Sequence, residues 1–219
     1  MSKTRSRSPS SPAIPGSAQE RCNAGTSCTV RDPARFTDRQ WGAHFHRDDC
    51  HGVDLQAIRD GTYHRPGEHG VDPWLDTVVD AYGPEIADLA DAGRTVSGDG
   101  LLHNDLRPDN MLVDRDGMAY LLDWNWVCLG PAWVDFLGLL PQANRQGIDV
   151  RSWLQGPLFV GADDHTIDTV LAAIAVKSLG GQSEELGIGL PVTIWAHKVV
   201  YAHDAVQLLA TRRGWSPPC

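Results

Sequence analysis

The residues best suited to chemistry include Asn110 and Asp123, which flank a segment predicted to form a β-hairpin. Apolar runs at 111–114 and 118–124 are typical of strands, and the Asp-Gly pair at 116–117 is the strongest two-residue hairpin signal. If that pair forms the turn, Asn110 lies directly opposite Asp123, and the two side chains point to the same face. An amide oxygen and a carboxylate on one rigid unit suit Mg²⁺, which takes few protein ligands and keeps positions for water and phosphate.

Two further polar residues precede the hairpin. Asp105 lies five residues before Asn110, in a loop that Pro108 keeps from becoming helical. A carboxylate in this position can accept the proton of an attacking hydroxyl group. Arg107 is permanently charged and can neutralise phosphate in a transition state. These residue types together favour phosphoryl transfer as the chemistry of this segment.

Three stretches of this region resemble a known family. The sequence HNDLRPDN at 103–110 looks like the H-R-D-L-x-x-x-N catalytic loop of protein kinases. It resembles even more the corresponding loop of the aminoglycoside phosphotransferase and choline kinase group. LLDW at 121–124 looks like that group's metal-binding aspartate followed by an aromatic residue. DWNWVCLGPAWVD at 123–135 is similar to the segment in actinobacterial members, where a second aspartate braces the catalytic loop.

The resemblance implies an activity and a role for each polar residue. The implied reaction transfers the γ-phosphoryl group of ATP, with Mg²⁺, to a hydroxyl of a small molecule such as an aminoglycoside or an amino alcohol. By this resemblance Asp105 is the base, Asn110 and Asp123 bind Mg²⁺, and His103 and Asp135 are structural supports.

Apolar residues at helical spacing predict three long helices around this motif. The first runs from Asp72 towards Gly93 and is broken or kinked at Gly83-Pro84, the second begins near 163–164, and the third begins at Pro191. We therefore expect an α+β protein: a mostly helical, protein-kinase-like C-terminal lobe with a small catalytic β-hairpin.

The hydrophobic pattern divides the chain into three parts. Residues 1–70 are rich in Arg, Asp, His, Gly and Ser and show no sustained period, which predicts a disordered or poorly ordered region. Residues 71–213 form the predicted lobe, and residues 214–219 form a tail.

The amino-acid composition restricts the possible binding partners of the protein and its cellular compartment. The net charge of −9 disfavours a nucleic-acid partner, which usually requires a basic face. The sequence has no run of 18 apolar residues, so we expect no membrane-spanning helix. Five scattered cysteines, an odd number, fit a reducing cytoplasm better than a disulfide framework.

The sequence departs from the family in one important respect. Kinases of this type use an N-terminal lobe that covers the nucleotide phosphates and supplies a lysine. Of the three lysines, Lys3, Lys177 and Lys198, only Lys3 precedes the catalytic loop, and Asn125 stands where relatives usually have glutamate. We therefore expect weak or no phosphotransfer from this chain alone. The alternatives are a truncated enzyme, a degenerate, non-catalytic ligand-binding or interaction domain, and a chain that receives the missing lobe from another polypeptide.

Overall fold

The structure, a computed structural model, describes residues 39–45, 55–63, 73–180 and 192–216. Within these ranges it contains seven α-helices, four short β-strands and three 3₁₀ turns. The helices are α1 (Trp41–Phe45), α2 (Leu55–Asp60), α3 (Pro73–Ala92), α4 (Trp133–Arg145), α5 (Arg151–Leu154), α6 (Asp164–Gly180) and α7 (Val192–Arg213). The strands are β1 (Gly100–Leu102), β2 (Met111–Val113), β3 (Ala119–Leu121) and β4 (Cys128–Gly130). The 3₁₀ turns are Gly93–Thr95, Pro108–Asn110 and Pro157–Phe159.

Helix α6 is the central element of the helical body and is in contact with α3, α4 and α7. Val170, Leu171 and Val176 are completely buried, as are its alanines at 172, 173 and 175. A helix that is apolar on most of its faces is stable only inside a core. The mostly helical α+β fold expected from the sequence is therefore confirmed. None of the helices described is both long enough and apolar enough to span a bilayer.

Helix α3 is a single helix that includes Pro84, although the sequence predicts a break or a kink at Gly83-Pro84. Leu75, Val78 and Ile86 are buried and follow the spacing of one helical face. A Cβ atom at Gly83 would lie 2.6 Å from the carbonyl oxygen of Ile58. The glycine therefore permits the close approach of α2 to α3.

The compact lobe begins well before residue 71, the boundary that the sequence predicts. Trp41 in α1 and Ile58 in α2 are each 1% exposed and belong to the main core. The backbone N–H of Leu129 donates to the carbonyl oxygen of Arg39 over 2.7 Å, which attaches the start of α1 to β4. The predicted boundary is corrected, because both short helices are part of the lobe. The remainder of the region expected to be disordered lies outside the described residues.

The predicted C-terminal tail also contacts the lobe, as far as the structure describes it. The Trp215 ring stacks on the Tyr82 ring of α3, with centroids 4.7 Å apart and planes 8° apart. The Tyr82 hydroxyl donates to the carbonyl oxygen of Ser216 over 2.8 Å. The lobe therefore extends at least to Ser216, three residues beyond the predicted end at residue 213.

Two small antiparallel sheets position the polar residues between α3 and α4. Strand β1 pairs with β4, and strand β2 pairs with β3 to form the predicted hairpin. The loop at 103–110, which we call the catalytic loop after the kinase loop that it resembles, follows β1 directly. It leads through the 3₁₀ turn Pro108–Asn110 into β2. Helix α4 starts three residues after β4. The Asp135 carboxylate in its first turn accepts the backbone N–H groups of His103 and Asn104, just after the end of β1.

The hairpin register differs by one residue from the predicted one. Leu112 pairs with Tyr120, and the Leu122 N–H donates to the Asn110 carbonyl oxygen over 2.8 Å. Asn110 therefore lies opposite Leu122, and the prediction that it lies opposite Asp123 is wrong.

The loop between β2 and β3 explains the shift. The N–H of Asp114 donates to the carbonyl oxygen of Met118, so the loop contains three residues instead of two. Its last residue, Gly117, has φ +81°, as is typical of a type I turn followed by a left-handed residue. The Asp114 carboxylate accepts the N–H groups of Asp116 and Met118, each at 2.9 Å. These bonds lower the pKa of Asp114 and favour the longer loop.

Candidate active site

Asp135, in the first turn of α4, holds the start of the catalytic loop. Its two carboxylate oxygens accept the backbone N–H groups of His103, at 2.6 Å, and Asn104, at 2.8 Å. Asn104 has φ +60°, a left-handed conformation that asparagine tolerates better than most residues. Burial raises the pKa of Asp135, and the two hydrogen bonds oppose that effect. The carboxylate therefore fixes the loop at the point where it leaves β1.

His103 connects the catalytic loop to the hairpin. Its side chain is completely buried, and Nε2 lies 2.6 Å from the carbonyl oxygen of Leu122. Because a carbonyl oxygen only accepts, Nε2 carries the proton in this bond. The Trp124 ring lies beside the imidazole, with centroids 4.7 Å apart. The Leu122 backbone thus bonds to His103 through its carbonyl oxygen and to Asn110 through its N–H.

Asp105 and Asn110 are in direct contact. The Asn110 Nδ2 group donates to the Asp105 backbone oxygen at 2.9 Å and to its Oδ2 atom at 3.1 Å. The other carboxylate oxygen, Oδ1, lies 3.6 Å from Nε of Arg107. Arg107 also reaches Asp109, with Nη2 at 3.2 Å from Oδ2. The carboxylate at position 105 is therefore oriented by an amide on one side and faces a guanidinium on the other.

Asp123 lies two residues beyond the end of β3, on the exposed side of the hairpin. Its φ is +60°, and its Oδ1 atom accepts a hydrogen bond from the Asn125 side-chain amide. Among the described residues, no hydrogen bond joins Asp123 to Asp105 or Asn110. The structure therefore brings together Asp105, Asn110 and Arg107 directly, and it connects Asp123 to them through the Leu122 backbone.

A cavity of about 170 Å³ lies beside Asp105, and we call it the catalytic-loop cavity. Its lining combines polar residues of the catalytic loop with polar residues of α6 and α7. The polar lining consists of Asn104, Asp105, Arg107, Asp135, Lys177, Ser178, His197, Lys198 and Tyr201. The apolar periodicity of α6 and α7 predicts core helices, so it indicates no chemistry for these residues. The sequence signal that could have identified this part of the cavity is a lysine, Lys177 or Lys198, within the apolar pattern of each helix.

Tyr201 joins two helices at the cavity wall. Its hydroxyl donates to the carbonyl oxygen of Gly138 over 2.7 Å, which joins α7 to α4. Burial raises the pKa of the Tyr201 hydroxyl, and the negative charge of Asp105 raises it further. Tyr201 therefore stays protonated and acts in this wall as a hydrogen-bond donor.

The oxygen donors of this region suit a hard cation better than zinc. No group of three or more His, Cys, Asp or Glu residues that could hold a metal occurs in the described part of the chain. Asn110 directs its NH₂ group towards Asp105, so its amide oxygen faces away from that carboxylate. An amide oxygen and the exposed carboxylate of Asp123 are ligands that Mg²⁺ accepts together with water and phosphate oxygens.

The mostly helical fold and the loop at 103–110, which resembles the catalytic loop of kinases, together indicate a class of protein, a kinase-type lobe. The sequence profile of the Phosphotransferase enzyme family (APH) matches residues 38–162, more than half of the chain. This protein therefore belongs to that family.

Curated relatives match over shorter stretches. The chain is 44% identical over 48 residues to serine/threonine-protein kinase LATS1 of Mus musculus and of Homo sapiens. This match covers 22% of the chain and 4% of the kinase. It is 36% identical over 58 residues to serine/threonine-protein kinase PknH of Mycobacterium bovis, which covers 23% of the chain and 10% of that kinase. The chain thus spans a small fraction of these relatives. No solved structure gives a significant match.

Proposed function

We propose that this protein transfers the γ-phosphoryl group of ATP to a hydroxyl group of a small molecule. The observation that carries the proposal is the oriented Asp105 carboxylate, which Asn110 holds at 3.1 Å at the edge of a cavity that also contains Arg107. In the reaction, the acceptor oxygen forms a bond to the γ-phosphorus and the bond from that phosphorus to the bridging oxygen of ADP breaks. The acceptor proton moves to Asp105.

Asp105 would act as the base. The Asn110 amide occupies Oδ2, so Oδ1 is the atom that faces an acceptor hydroxyl. A fixed carboxylate both orients the hydroxyl and removes its proton, and such positioning is a main source of rate enhancement in phosphoryl transfer. Arg107 lies beside the same carboxylate and would stabilise negative charge on the transferred group.

Asn110 and Asp123 would hold Mg²⁺ together with the phosphate oxygens of ATP. When bound, the ion would neutralise negative charge on the phosphate groups during transfer. His103 and Asp135 would act as supports, because His103 holds the Leu122 backbone before Asp123 and Asp135 holds the loop before Asp105. We place the reaction in a reducing cytoplasm, in keeping with the free, buried thiol of Cys128.

The family resemblance suggests aminoglycosides and amino alcohols as the first acceptors to test. A second candidate function is a ligand-binding or interaction domain without catalysis. The favouring observation is that no lysine occurs between Lys3 and Lys177 that could contact the nucleotide phosphates from the opposite lobe. We therefore include nucleotide binding in the test.

The test combines transfer of labelled γ-phosphate to acceptor panels with calorimetry of MgATP binding. Asp105→Asn should reduce transfer by about 10²–10⁴, the usual range for a lost general base, and leave MgATP affinity unchanged. Asp123→Ala should weaken Mg²⁺-dependent nucleotide binding. Asp88→Asn, at an exposed carboxylate of α3 that pairs with Arg59 outside the cavity lining, is the control. Equal transfer by the parent and Asp105→Asn rejects the catalytic role, and MgATP binding without transfer to any acceptor favours the second candidate.

A further inference from the structure

The catalytic-loop cavity concentrates positive charge in a protein that is acidic overall. The chain has a net charge of −9 and only three lysines, yet Lys177 of α6 and Lys198 of α7 both line this cavity. Arg107 adds a third cation from the catalytic loop. Since two helices and a loop each supply a cation to one small cavity, the group bound there has to be compatible with positive charge.

Two buried hydrogen-bond donors in the same wall also require acceptor atoms on the bound group. Nδ2 of Asn104 is a buried atom without a hydrogen-bond partner in the structure. Nε of Arg107 also forms no hydrogen bond, although Asp105 Oδ1 lies 3.6 Å away as its ion-pair partner. Buried donors are rarely left unpaired in proteins, and such a group often marks a site that a ligand completes. Both atoms are donors, so the ligand atoms that would satisfy them are acceptors, as the oxygens of a carboxylate or phosphate are.

The carboxylates of the lining are already engaged. Asp105 and Asp135 are the two acidic residues among the lining residues that the structure describes. Both oxygens of Asp135 accept backbone N–H groups, and Asp105 is bound by Asn110 and lies near Arg107. Apart from Asp105 Oδ1, which the proposed reaction uses for the acceptor hydroxyl, the described lining therefore offers an ammonium group no uncommitted carboxylate oxygen.

We propose that the acceptor carries an oxyanion, a carboxylate or a phosphate, beside the hydroxyl that faces Asp105. This inference rests on the proposed function and specifies its substrate class. Lys177 and Lys198 bind the oxyanion from one side of the cavity, and Asn104 donates to it from the other. The cavity volume of about 170 Å³ fits a small molecule, below the ~300–1,000 Å³ of typical pockets for drug-sized ligands.

The two lysines do not have to be without partners for this role. Both also interact with other groups of the protein, and Lys177 Nζ lies 5.6 Å from the centre of the Trp126 ring. An ammonium group has three donors, so it can bind a ligand oxygen beside a protein partner. These contacts also restrict the lysine side chains, which lowers the entropic cost of binding.

The experiment measures binding of four compounds built on one three-carbon scaffold, by calorimetry with the full chain and without nucleotide. Glycerate and glycerol 3-phosphate carry an oxyanion, glycerol is neutral, and 3-amino-1,2-propanediol carries an ammonium group. At least one of the two anions should bind about tenfold tighter than the neutral and cationic compounds, which corresponds to about 1.4 kcal/mol. The comparison between glycerate and glycerol 3-phosphate identifies which oxyanion the site prefers.

Variants then assign the effect to the two lysines. Lys177→Gln and Lys198→Gln should each weaken binding of the preferred anion about tenfold, as expected for loss of a charge-assisted hydrogen bond. Lys177→Arg and Lys198→Arg keep the charge and should retain most of the affinity. Arg151→Gln removes one positive charge from an exposed residue outside the cavity lining and should have no effect. MgATP affinity should be unchanged in all of these variants.

Three results of the binding experiments would overturn the inference. They are equal or tighter binding of the cationic compound, no binding of either anion, and glutamine variants that lose MgATP affinity instead of anion affinity. The last result would assign the lysines to the nucleotide phosphates. Transfer to amino alcohols without lysine dependence rejects this inference and keeps the proposed function. Lysine-dependent anion binding without transfer to any acceptor rejects the proposed function and keeps the anion site.

Discussion

Replacing Asp135 by asparagine tests how the catalytic loop is held in place. The carboxylate accepts two backbone N–H groups, from His103 at 2.6 Å and from Asn104 at 2.8 Å. An asparagine side chain has one oxygen and one NH₂ group, so it can accept only one of them. The other backbone N–H then faces a donor. Asp135→Asn therefore removes one hydrogen bond and the negative charge while it preserves the shape of the side chain.

The expected loss of stability follows from these two bonds. A hydrogen bond to a charged acceptor contributes about 1.5–3 kcal/mol, and a buried donor left unpaired costs about 1–3 kcal/mol. We expect Asp135→Asn to lower the free energy of unfolding by about 2–4 kcal/mol, a large share of the ~5–15 kcal/mol typical of a domain. The left-handed backbone of Asn104 would also lose one of its restraints.

Urea unfolding followed by tryptophan fluorescence gives the measurement. The control is Asp109→Asn, whose side chain is 67% exposed and forms a solvent-facing ion pair with Arg107. Such a change should stay within about 0.5 kcal/mol of the parent protein. Equal stability of Asp135→Asn and Asp109→Asn would refute the role of Asp135 as the brace of the loop.

The difference in free energy of unfolding between the parent protein and Asp135→Asn should depend on pH. This dependence tests the balance between burial of the Asp135 carboxylate and its hydrogen bonds. Burial raises the pKa of Asp135 above its ordinary value of 3.8, and the bonds from His103 and Asn104 only reduce that rise. For an acid with a raised folded-state pKa, the stabilising contribution is largest below the unfolded-state pKa, and part of it is lost as the pH rises through the folded-state pKa. The loss of about 2–4 kcal/mol expected for Asp135→Asn at neutral pH is the part that remains. The stability difference between the parent and Asp135→Asn should therefore shrink from about pH 4 upwards. A difference that grows with pH would show that hydrogen bonding to the charged carboxylate outweighs burial.

Three further predictions concern the lobe and the cavity wall. Trp41→Ala should lower the free energy of unfolding by about 3–5 kcal/mol in the same urea assay, because this residue is 1% exposed within the main core; an unchanged value would separate α1 from the lobe. Gly117→Ala should lower the free energy of unfolding by about 1 kcal/mol, because φ at this position is +81°. An added Cβ atom would meet nothing within 4 Å, so a smaller effect of Gly117→Asn would confirm that backbone conformation is the cause. Tyr201→Phe removes the bond to Gly138 and should cost about 1 kcal/mol in thermal unfolding, whereas no loss would show that the hydroxyl does not join α7 to α4.

The catalytic loop could be predicted from the sequence because its residues are close together along the chain. Asp105 and Asn110 lie on either side of Pro108, and the hydrogen bond between their side chains forms within this short loop. The two cavity lysines could not be predicted in the same way. Lys177 and Lys198 line the same cavity only because α6 packs against α7. Helical periodicity describes each helix but not the contact between the two helices.

The misplaced domain boundary has a similar cause. Trp41 and Ile58 stand in stretches with few other apolar residues, so no hydrophobic period marks them as core. Their burial comes from long-range packing, and a single large apolar residue can anchor a short helix that has little stability of its own. Sequence composition therefore underestimates the extent of a lobe wherever its outer helices contribute only one or two core residues each.

The shifted hairpin register changes how the predicted metal ligands are held. Asn110 lies opposite Leu122, so Asp123 falls just beyond this last bonded pair and has a left-handed backbone. Strand pairing therefore does not fix the Asp123 carboxylate, and the side-chain amide of Asn125 contacts it instead. A glutamate at position 125 would repel that carboxylate, whereas asparagine donates to it. The residue that departs from the usual family pattern is thus the one that orients the predicted metal ligand in this protein.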